Sequence, residues 1–357
     1  MAILGVERVI FGVEDLATCT KFWTDFGLTP LHADDTQSVF EVESGSRVIV
    51  KKIDDPSLPP ANFKGSGVRE TTFGVDTAEA LERLVAGLGR EVRRGSDGAA
   101  HFLDIDGNAM ALRVWAKRPV LCRPDAVNAP DAIVRLNQPR KWYLRARPRT
   151  INHIVYYSDD YVRSYEWYRD RLGFKMTDHA KRNGIFARAD GTYEHHTMFW
   201  LTTNHPGTKG KIGFNHMAFG LTDIDEMMCG ANFMSDQGWS NQRPYAAALN
   251  RHRISSAMYY YFPNPCGGDA EYHADTDYHD DSWVPRVWEM KMGAAIWQSV
   301  TAGFDGGDAM SWDVAYDYGE KSLEAWRGPP SGWPEPAAAG GFNFSGQSSE
   351  KIPAKVL

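Results

Sequence analysis

The strongest constraint on the fold is an arrangement of elements that occurs four times along the 357 residues. Each copy begins with a short β-rich run, continues with one or two acidic residues and then shows a helical pattern. The copies begin at Val6 with "VERVIFGVEDLATCTKFWTDFGL", at Val68 with "VRETTFGVDTAEALERLVAGLG", at Ile151 with "INHIVYYSDDYVRSYEWYRDRLGF" and at Phe214 with "FNHMAFGLTDIDEMMCGANFM". Self-similarity of this kind predicts one supersecondary unit that is used repeatedly.

The helix of the third copy illustrates the pattern. Spacings of four, three and four residues place its apolar positions on one helical face: Tyr161, Tyr165, Tyr168 and Leu172. The strand-like runs "GIFARAD" and "YEHHTMFWLTT" follow the helix and are separated by a "GT" turn. Each copy is therefore predicted to be a βαβββ module, and the chain to be an α+β protein with two modules in each of two domains.

The predicted domains are residues 1–117 and residues 150–300. Residues 118–149 between them contain several prolines and basic residues, and they are predicted to be a partly structured inter-domain segment. Residues 301–357 are a C-terminal extension whose tail is rich in Pro, Gly, Ala and Ser, and they are predicted to be partly disordered.

Composition limits the partners and the compartment. The formal net charge of −7 argues against a nucleic-acid binder or a membrane-surface protein, since either needs a basic face. No apolar stretch is long enough to cross a bilayer, and the first residues do not resemble a signal peptide. The four cysteines are scattered without a CxxC pair, which predicts reduced thiols in a cytoplasmic protein.

Histidine is concentrated in the second half, because only His32 and His101 precede residue 150. His153 and His216 occupy equivalent positions on the first strands of the third and fourth modules, and Glu271 follows a tight turn near a last strand. Two histidines and one carboxylate form the ligand set of non-haem Fe(II) oxygenases, which leaves positions for substrate and O2. The alternative is a pair of hydrogen-bonded core histidines and a glutamate paired with Arg or Lys.

The first half offers no such ligand set. Its aligned positions are Arg8, Glu70 and approximately Ala111. The first domain is therefore predicted to be a structural copy without a metal.

The stretch "HRISSAMYYYFPNPCGGDAE" resembles the signature of the type I extradiol ring-cleavage dioxygenases of the vicinal oxygen chelate superfamily. The matching positions are His252, Tyr261, Asn264-Pro265, Gly267 and Glu271. Tyr260 departs from the family, which usually has an aliphatic residue there. The resemblance implies two domains, each an incomplete β-barrel with helices outside.

The run "YEHHTMFW" resembles a second family motif, a His-His-Ser/Thr run whose second histidine is the active-site acid/base. By that match His196 is the catalytic histidine and His195 its neighbour, for which a solvent-facing position is the alternative. The connection from His196 to the second ligand is longer than in the family, which predicts a larger hairpin loop around residues 206–210.

The resemblance implies Fe(II) bound by His153, His216 and Glu271, with Mn(II) chemically plausible. It also implies extradiol cleavage of a catechol-type ring by O2, giving a semialdehyde or keto acid, and assembly into a homo-oligomer. By the same resemblance Tyr261 donates a hydrogen bond to a substrate oxygen, and His252 holds an ionised substrate hydroxyl.

Further residues are predicted around the substrate. Val155 shares the face of the first ligand and would line an apolar O2 side, near His195. Arg253 and Arg286 are candidates for a substrate carboxylate, with a surface salt bridge as the alternative for each. Two other histidines, His273 and His279, are predicted to lie in an exposed acidic loop, with a second metal cluster as the alternative.

Two other functions fit the same fold. One is a metal-dependent glyoxalase or epimerase, in which four ligands come from paired modules. The other is a protein that binds aromatic compounds and has only a vestigial metal site. Oxygen uptake with catechol distinguishes the dioxygenase from both.

Overall fold

The computed structural model describes residues 3–61, 63–89, 91–203, 213–240, 249–288 and 295–298. The first module contains β1 (Ile3–Val13), α1 (Leu16–Phe26), β2 (Thr29–Ala33), β3 (Gln37–Glu41) and β4 (Arg47–Lys52). The second contains β5 (Gly67–Val75), α2 (Ala78–Gly87), β6 (Arg93–Arg94), β7 (Ala100–Leu103) and β8 (Ala109–Val114).

The third module contains β9 (Thr150–Ser158), α3 (Tyr161–Leu172), β10 (Lys175–Ala180), β11 (Gly184–Arg188) and β12 (Met198–Thr202). The fourth contains β13 (Gly213–Gly220), α4 (Ile224–Asp236), β14 (Asn250–Arg251), β15 (Met258–Pro263) and β16 (Asp269–Ala274). Two short strands follow, β17 (Arg286–Trp288) and β18 (Trp297–Gln298). The predicted α+β class and the four βαβββ modules are confirmed.

The strands form two open sheets with the same internal symmetry. Their orders are β2-β3-β4-β1-β5-β8-β7-β6 and β17-β10-β11-β12-β9-β13-β16-β15-β14-β18. In each sheet the first strands of the two modules pair antiparallel at the centre, and each also pairs parallel with the last strand of its own module. No closed barrel forms among the described strands, which agrees with the predicted incomplete barrels.

One hydrophobic core joins the two sheets. Helix α1 packs against α4, and α2 packs against α3, so each sheet contributes a helix to both contacts. Polar contacts cross the same boundary: Tyr272 Oη donates to Phe26 O at 2.8 Å, and Tyr168 Oη donates to Asp104 Oδ2 at 2.9 Å. The two halves are therefore stabilised by burial against one another.

Gly27 and Gly173 end α1 and α3 in left-handed conformations, with φ of 105° and 73°. A Cβ at Gly27 would lie 2.3 Å from the backbone oxygen of Ala146, whereas a Cβ at Gly173 would meet nothing within 4 Å. We expect Gly173→Ala to lower the free energy of unfolding by about 1–2 kcal/mol, the cost of a left-handed non-glycine residue. Gly27→Ala should cost at least about 3 kcal/mol, because the contact with Ala146 adds to that strain.

Urea denaturation of both glycine variants measures this difference. The Gly173 variant is the control for backbone strain alone. Equal losses of stability would show that the close approach to Ala146 does not constrain the end of α1.

The segment between the sheets contains no named helix or strand and is mostly exposed over residues 118–149. The domain boundaries at residues 117, 149 and 300 stay predictions. The predicted hairpin loop at residues 206–210 and the extension at residues 301–357 lie outside the described residues.

Within the described part of the chain, no helix has the length and apolar character needed to span a bilayer. All four cysteines are free thiols.

Candidate metal centre

Three adjacent strands bring the predicted ligands together. His153 on β9 lies opposite Ala218 on β13, and Ala218 is also the register partner of Glu271 on β16. His216 lies on β13 opposite Val155. Although they are distant in sequence, all three ligands are thus placed within one or two residues of the same level of the sheet.

Strand alternation separates this site from the core. On β9 and β13 the residues Ile154, Tyr156, Met217 and Phe219 belong to the shared hydrophobic core. His153 and His216 directly precede these core residues and point to the opposite face, because successive side chains of a strand alternate. The same holds on β16, where Glu271 lies between the core residues Ala270 and Tyr272.

The ligand atoms have the spacing that a metal requires. His153 Nε2 and His216 Nε2 lie 3.3 Å apart, and Glu271 Oε2 lies 3.3 Å from the first and 3.0 Å from the second. Ligands at right angles around an ion, each about 2.1 Å from it, are about 3.0 Å apart. The three side chains can therefore occupy one face of an octahedron, as in a 2-His-1-carboxylate site.

One oxygen of the Glu271 carboxylate is buried without a hydrogen-bond donor among the described residues. Glu271 is buried, and its Oε2 has no hydrogen-bond partner among the described residues, although the two imidazole nitrogens lie near it. A buried carboxylate oxygen without a donor carries a large desolvation cost. A cation bound between these three atoms would remove that cost.

Local hydrogen bonding and burial set the protonation of the candidate ligands. His216 Nδ1 contacts the Asn215 side-chain oxygen, which can only accept, so Nδ1 carries the proton and Nε2 is bare. Burial lowers the pKa of His153 to about 3, which keeps that ring neutral. Burial acts to raise the pKa of Glu271, but its close contacts with the surrounding histidines hold it well below its ordinary value. Neutral imidazoles and an ionised carboxylate are the forms that bind a metal.

His196 and Tyr261 border the ligand set. The ring of His196 packs on His153 with centroids 3.9 Å apart, and Phe186 contacts its edge at 5.0 Å. Burial lowers the pKa of His196 well below its ordinary value, so this ring is neutral as well. Tyr261 is the register partner of Glu271, and its ring lies 5.1 Å from that of His216.

His252 lies farther from the ligands. Its ring stacks on Tyr259 with centroids 3.8 Å apart, and Tyr259 lies 5.2 Å from Tyr261. A direct contact of His252 with substrate stays a prediction. Val155 is buried on the same face as His153, against Phe199 and Leu201.

The two predicted arginines have different surroundings. Arg286 pairs with the buried carboxylate of Asp178, at 2.7 Å from Nη2 to Oδ2, and its guanidinium lies over Trp283. The ion-pair alternative therefore describes Arg286 better than a substrate contact. Arg253 is half-buried, and its Nε has no hydrogen-bond partner among the described residues, so its proposed contact with a substrate carboxylate stays a prediction.

Three histidine positions correct the sequence analysis. A solvent-facing His195 is wrong, because the residue is fully buried behind His196. The exposed loop predicted for His273 and His279 is also wrong, since both are buried. His273 follows Glu271 by two residues on the same strand face, and its Nδ1 lies 3.2 Å from Glu271 Oε1. It thus orients the proposed ligand, whereas His279 stacks on Trp283.

The first half has a fixed cation at the equivalent place. The register pairs Arg8 with Thr72 and Thr72 with Ala111, as His153 pairs with Ala218 and Ala218 with Glu271. Arg8 is buried, and its Nη2 lies 2.6 Å from Asp97 Oδ2. Among the described residues, only His153, His216 and Glu271 form a group of three potential ligands whose atoms lie within 4.8 Å of one another.

Sequence reasoning missed Asn215 and Asp178. Asn215 directly precedes a ligand, so its position was a usable signal. Asp178 lies on β10, and its contacts arise from pairing with the distant strand β17. No local pattern indicates that pairing.

Comparisons with known proteins agree with this geometry. Residues 150–254 match the model of the Glyoxalase/Bleomycin resistance protein/Dioxygenase superfamily. The chain is 24% identical over 281 residues to metapyrocatechase 2 of Cupriavidus necator. The alignment covers 78% of this chain and 82% of the relative. The resemblance drawn from the sequence is confirmed.

Solved structures show the same fold. An extradiol ring-cleaving dioxygenase from B. fuscum matches with a TM-score of 0.62 and 18% identity, covering 81% of this chain and 77% of the other. An Mn(II)-bound glyoxalase from Novosphingobium aromaticivorans matches with a TM-score of 0.61 and 20% identity, covering 80% and 88%. The fold alone thus occurs with both activities.

Proposed function

We propose that this member of the glyoxalase/bleomycin resistance protein/dioxygenase superfamily is a metal-dependent extradiol dioxygenase that opens a catechol-type ring with O2. The observation that carries the proposal is the buried facial set of His153, His216 and Glu271 with a neutral histidine, His196, packed against it. Fe(II) is the proposed metal, and Mn(II) is the alternative.

The bound ion would act as a Lewis acid that lowers the pKa of the catechol hydroxyls and holds ring and O2 near each other. The protein would contribute three ligands, and the remaining coordination positions of the ion would be available to both reactants. Val155, Phe199 and Leu201 provide an apolar wall on the side of His153. Such a wall excludes water from the reacting atoms.

His196 is the proposed acid/base. A neutral imidazole beside the first ligand can take a proton from a catechol hydroxyl and return it to the departing oxygen. Tyr261 is a neutral donor close to the second ligand, and its hydroxyl is proposed to hold a substrate oxygen. In a dry pocket such a hydrogen bond is stronger than in water.

A glyoxalase is the principal alternative, because the same fold carries that activity in a related structure. The ligand geometry argues against it. Glyoxalase-type sites draw four ligands from paired modules, whereas the described residues supply three in one sheet, and Arg8 occupies the equivalent position in the other sheet.

Oxygen uptake tests the proposal. The protein is loaded anaerobically with Fe(II) or Mn(II) and mixed with catechol and substituted catechols in an oxygen-electrode cell. We expect one molecule of O2 to be consumed for each catechol ring cleaved, and a yellow ring-opened product to form. Catechol binding without O2 uptake would favour a binding protein, and turnover of a hemithioacetal would favour a glyoxalase.

A further inference from the structure

His196 contacts a second histidine, His195, which in turn contacts the carboxylate of Asp178. His195 Nδ1 lies 3.0 Å from His196 Nδ1, and His195 Nε2 lies 2.7 Å from Asp178 Oδ2. Both His195 and Asp178 are fully buried. The proposed metal chemistry assigns no role to His195 or Asp178, and His196 packs on the proposed metal ligand His153.

Asp178 can only accept hydrogen bonds. Arg286 donates to it from Nε at 2.9 Å, from Nη2 at 2.7 Å and from its backbone N–H at 3.2 Å. Trp288 Nε1 donates at 3.0 Å. Burial acts to raise the pKa of Asp178, but the contacts with His195 and Arg286 keep it below its ordinary value. An ionised carboxylate surrounded by obligate donors has no proton to give, so His195 Nε2 must carry the proton that the two groups share.

We propose that Asp178 and His195 are positioning residues that fix the tautomer of His196 and keep its Nε2 bare. In this proposed arrangement His195 has a single ring proton, on Nε2, and a lone pair on Nδ1. That lone pair accepts from His196 Nδ1–H, so the second ring nitrogen of His196 is left unprotonated. The inference rests on the proposed function, because a bare nitrogen next to the metal ligands is the form that an acid/base histidine needs.

The surrounding fold holds these three side chains in place. Asp178 and Arg286 are register partners of the parallel strands β10 and β17, so the ion pair forms part of the sheet edge. The His195 backbone N–H donates to Asp277 O at 2.9 Å. Phe186 contacts both imidazoles, with centroids 5.4 Å from His195 and 5.0 Å from His196. Neither ring can rotate without displacing buried neighbours.

Asp178→Asn tests the inference. Three donors meet the former Oδ1 position, namely the Arg286 backbone N–H, Arg286 Nε and Trp288 Nε1, whereas only Arg286 Nη2 donates to Oδ2 besides His195. The amide oxygen is therefore expected at the former Oδ1 position, with the amide NH2 facing His195. That group donates to His195 Nε2, which moves the ring proton to Nδ1 and reverses the tautomer of His196. We expect kcat with a catechol that the wild type cleaves to fall by ~100-fold or more, as a wrong tautomer does in a comparable carboxylate–histidine pair. KM and metal content should stay near the wild-type values.

The direct readout is the tautomer itself. Nitrogen-15 shifts of histidine rings are recorded on zinc-loaded protein, with His196 assigned by its absence in a His196→Phe variant. We expect a protonated Nδ1 and a bare Nε2 in the wild type and the reverse in Asp178→Asn. Tyr161→Phe is the matched control, because it removes a buried hydrogen bond to His179 in the same sheet and should change neither tautomer nor kcat.

The outcomes separate the two proposals. Asp178→Asn leaves Arg286 without its partner, so Asp178→Asn/Arg286→Met is made in parallel in case the single variant does not fold. A wild type without oxygen uptake contradicts the proposed function, whatever the tautomer. A wild type that takes up oxygen, with an unchanged His196 tautomer or unchanged kcat in the asparagine variants, overturns the positioning role alone.

Discussion

His153→Ala is expected to abolish both metal retention and oxygen uptake while the fold survives. The substitution removes one of three ligands and leaves Glu271 and His216 with too few donors to hold a divalent ion after gel filtration. His153 contributes to no part of the shared hydrophobic core. We therefore expect metal per chain to fall to the background level, with a far-ultraviolet circular dichroism spectrum like that of the wild type.

Thermal unfolding gives an independent measurement. A ligand that binds only the native state stabilises it by about 2.7 kcal/mol at a free concentration about one hundred times its Kd. The wild type should show this metal-dependent rise in Tm, and His153→Ala should not. His179→Ala is the matched control, because it truncates another buried histidine of the same sheet and should retain metal. A His153→Ala protein that still binds one metal and turns over would remove His153 from the ligand set.

His196→Phe is expected to retain the metal and to lower kcat by ~100-fold or more, the scale of a lost proton transfer. Phenylalanine keeps a planar ring of similar size against His153 and Phe186 but has no nitrogen that can bind a proton. The loss should therefore fall on turnover. Metal analysis and steady-state oxygen uptake, measured on the same preparation, separate the two effects.

Full activity of His196→Phe would show that His196 is not the acid/base. Loss of metal together with activity would instead give His196 a role in holding the first ligand. His195→Phe provides a useful comparison, since the inferred tautomer control acts through this neighbour. It should lower kcat without loss of metal.

The sequence was sufficient for the features that depend on local periodicity and internal repetition. Matching first strands predicted that His153 and His216 would converge, and the strand registers place them as that argument required. The register also agrees with the alignment of Arg8 with His153. Residues two apart on a strand share a face, so the contact of His273 with Glu271 was accessible to the same argument, although the acidic run after it suggested a loop.

The rest depended on long-range pairing. Asp178 gives no sequence signal because its donors Arg286 and Trp288 come from β17, more than one hundred residues later. The burial of His195 likewise depends on backbone contacts with the segment around Asp277. A single chain contains no local information about which edge strand will cover such a residue.

The guanidinium of Arg8 has a consequence for maturation. In the first half, the side chain of Arg8 supplies the positive charge at the position where the second half would bind a metal ion. Folding of the first half therefore does not require a metal. The second half packs on this permanently charged copy through α1 and α4 and through α2 and α3. We therefore expect the chain to reach its folded state before it binds metal.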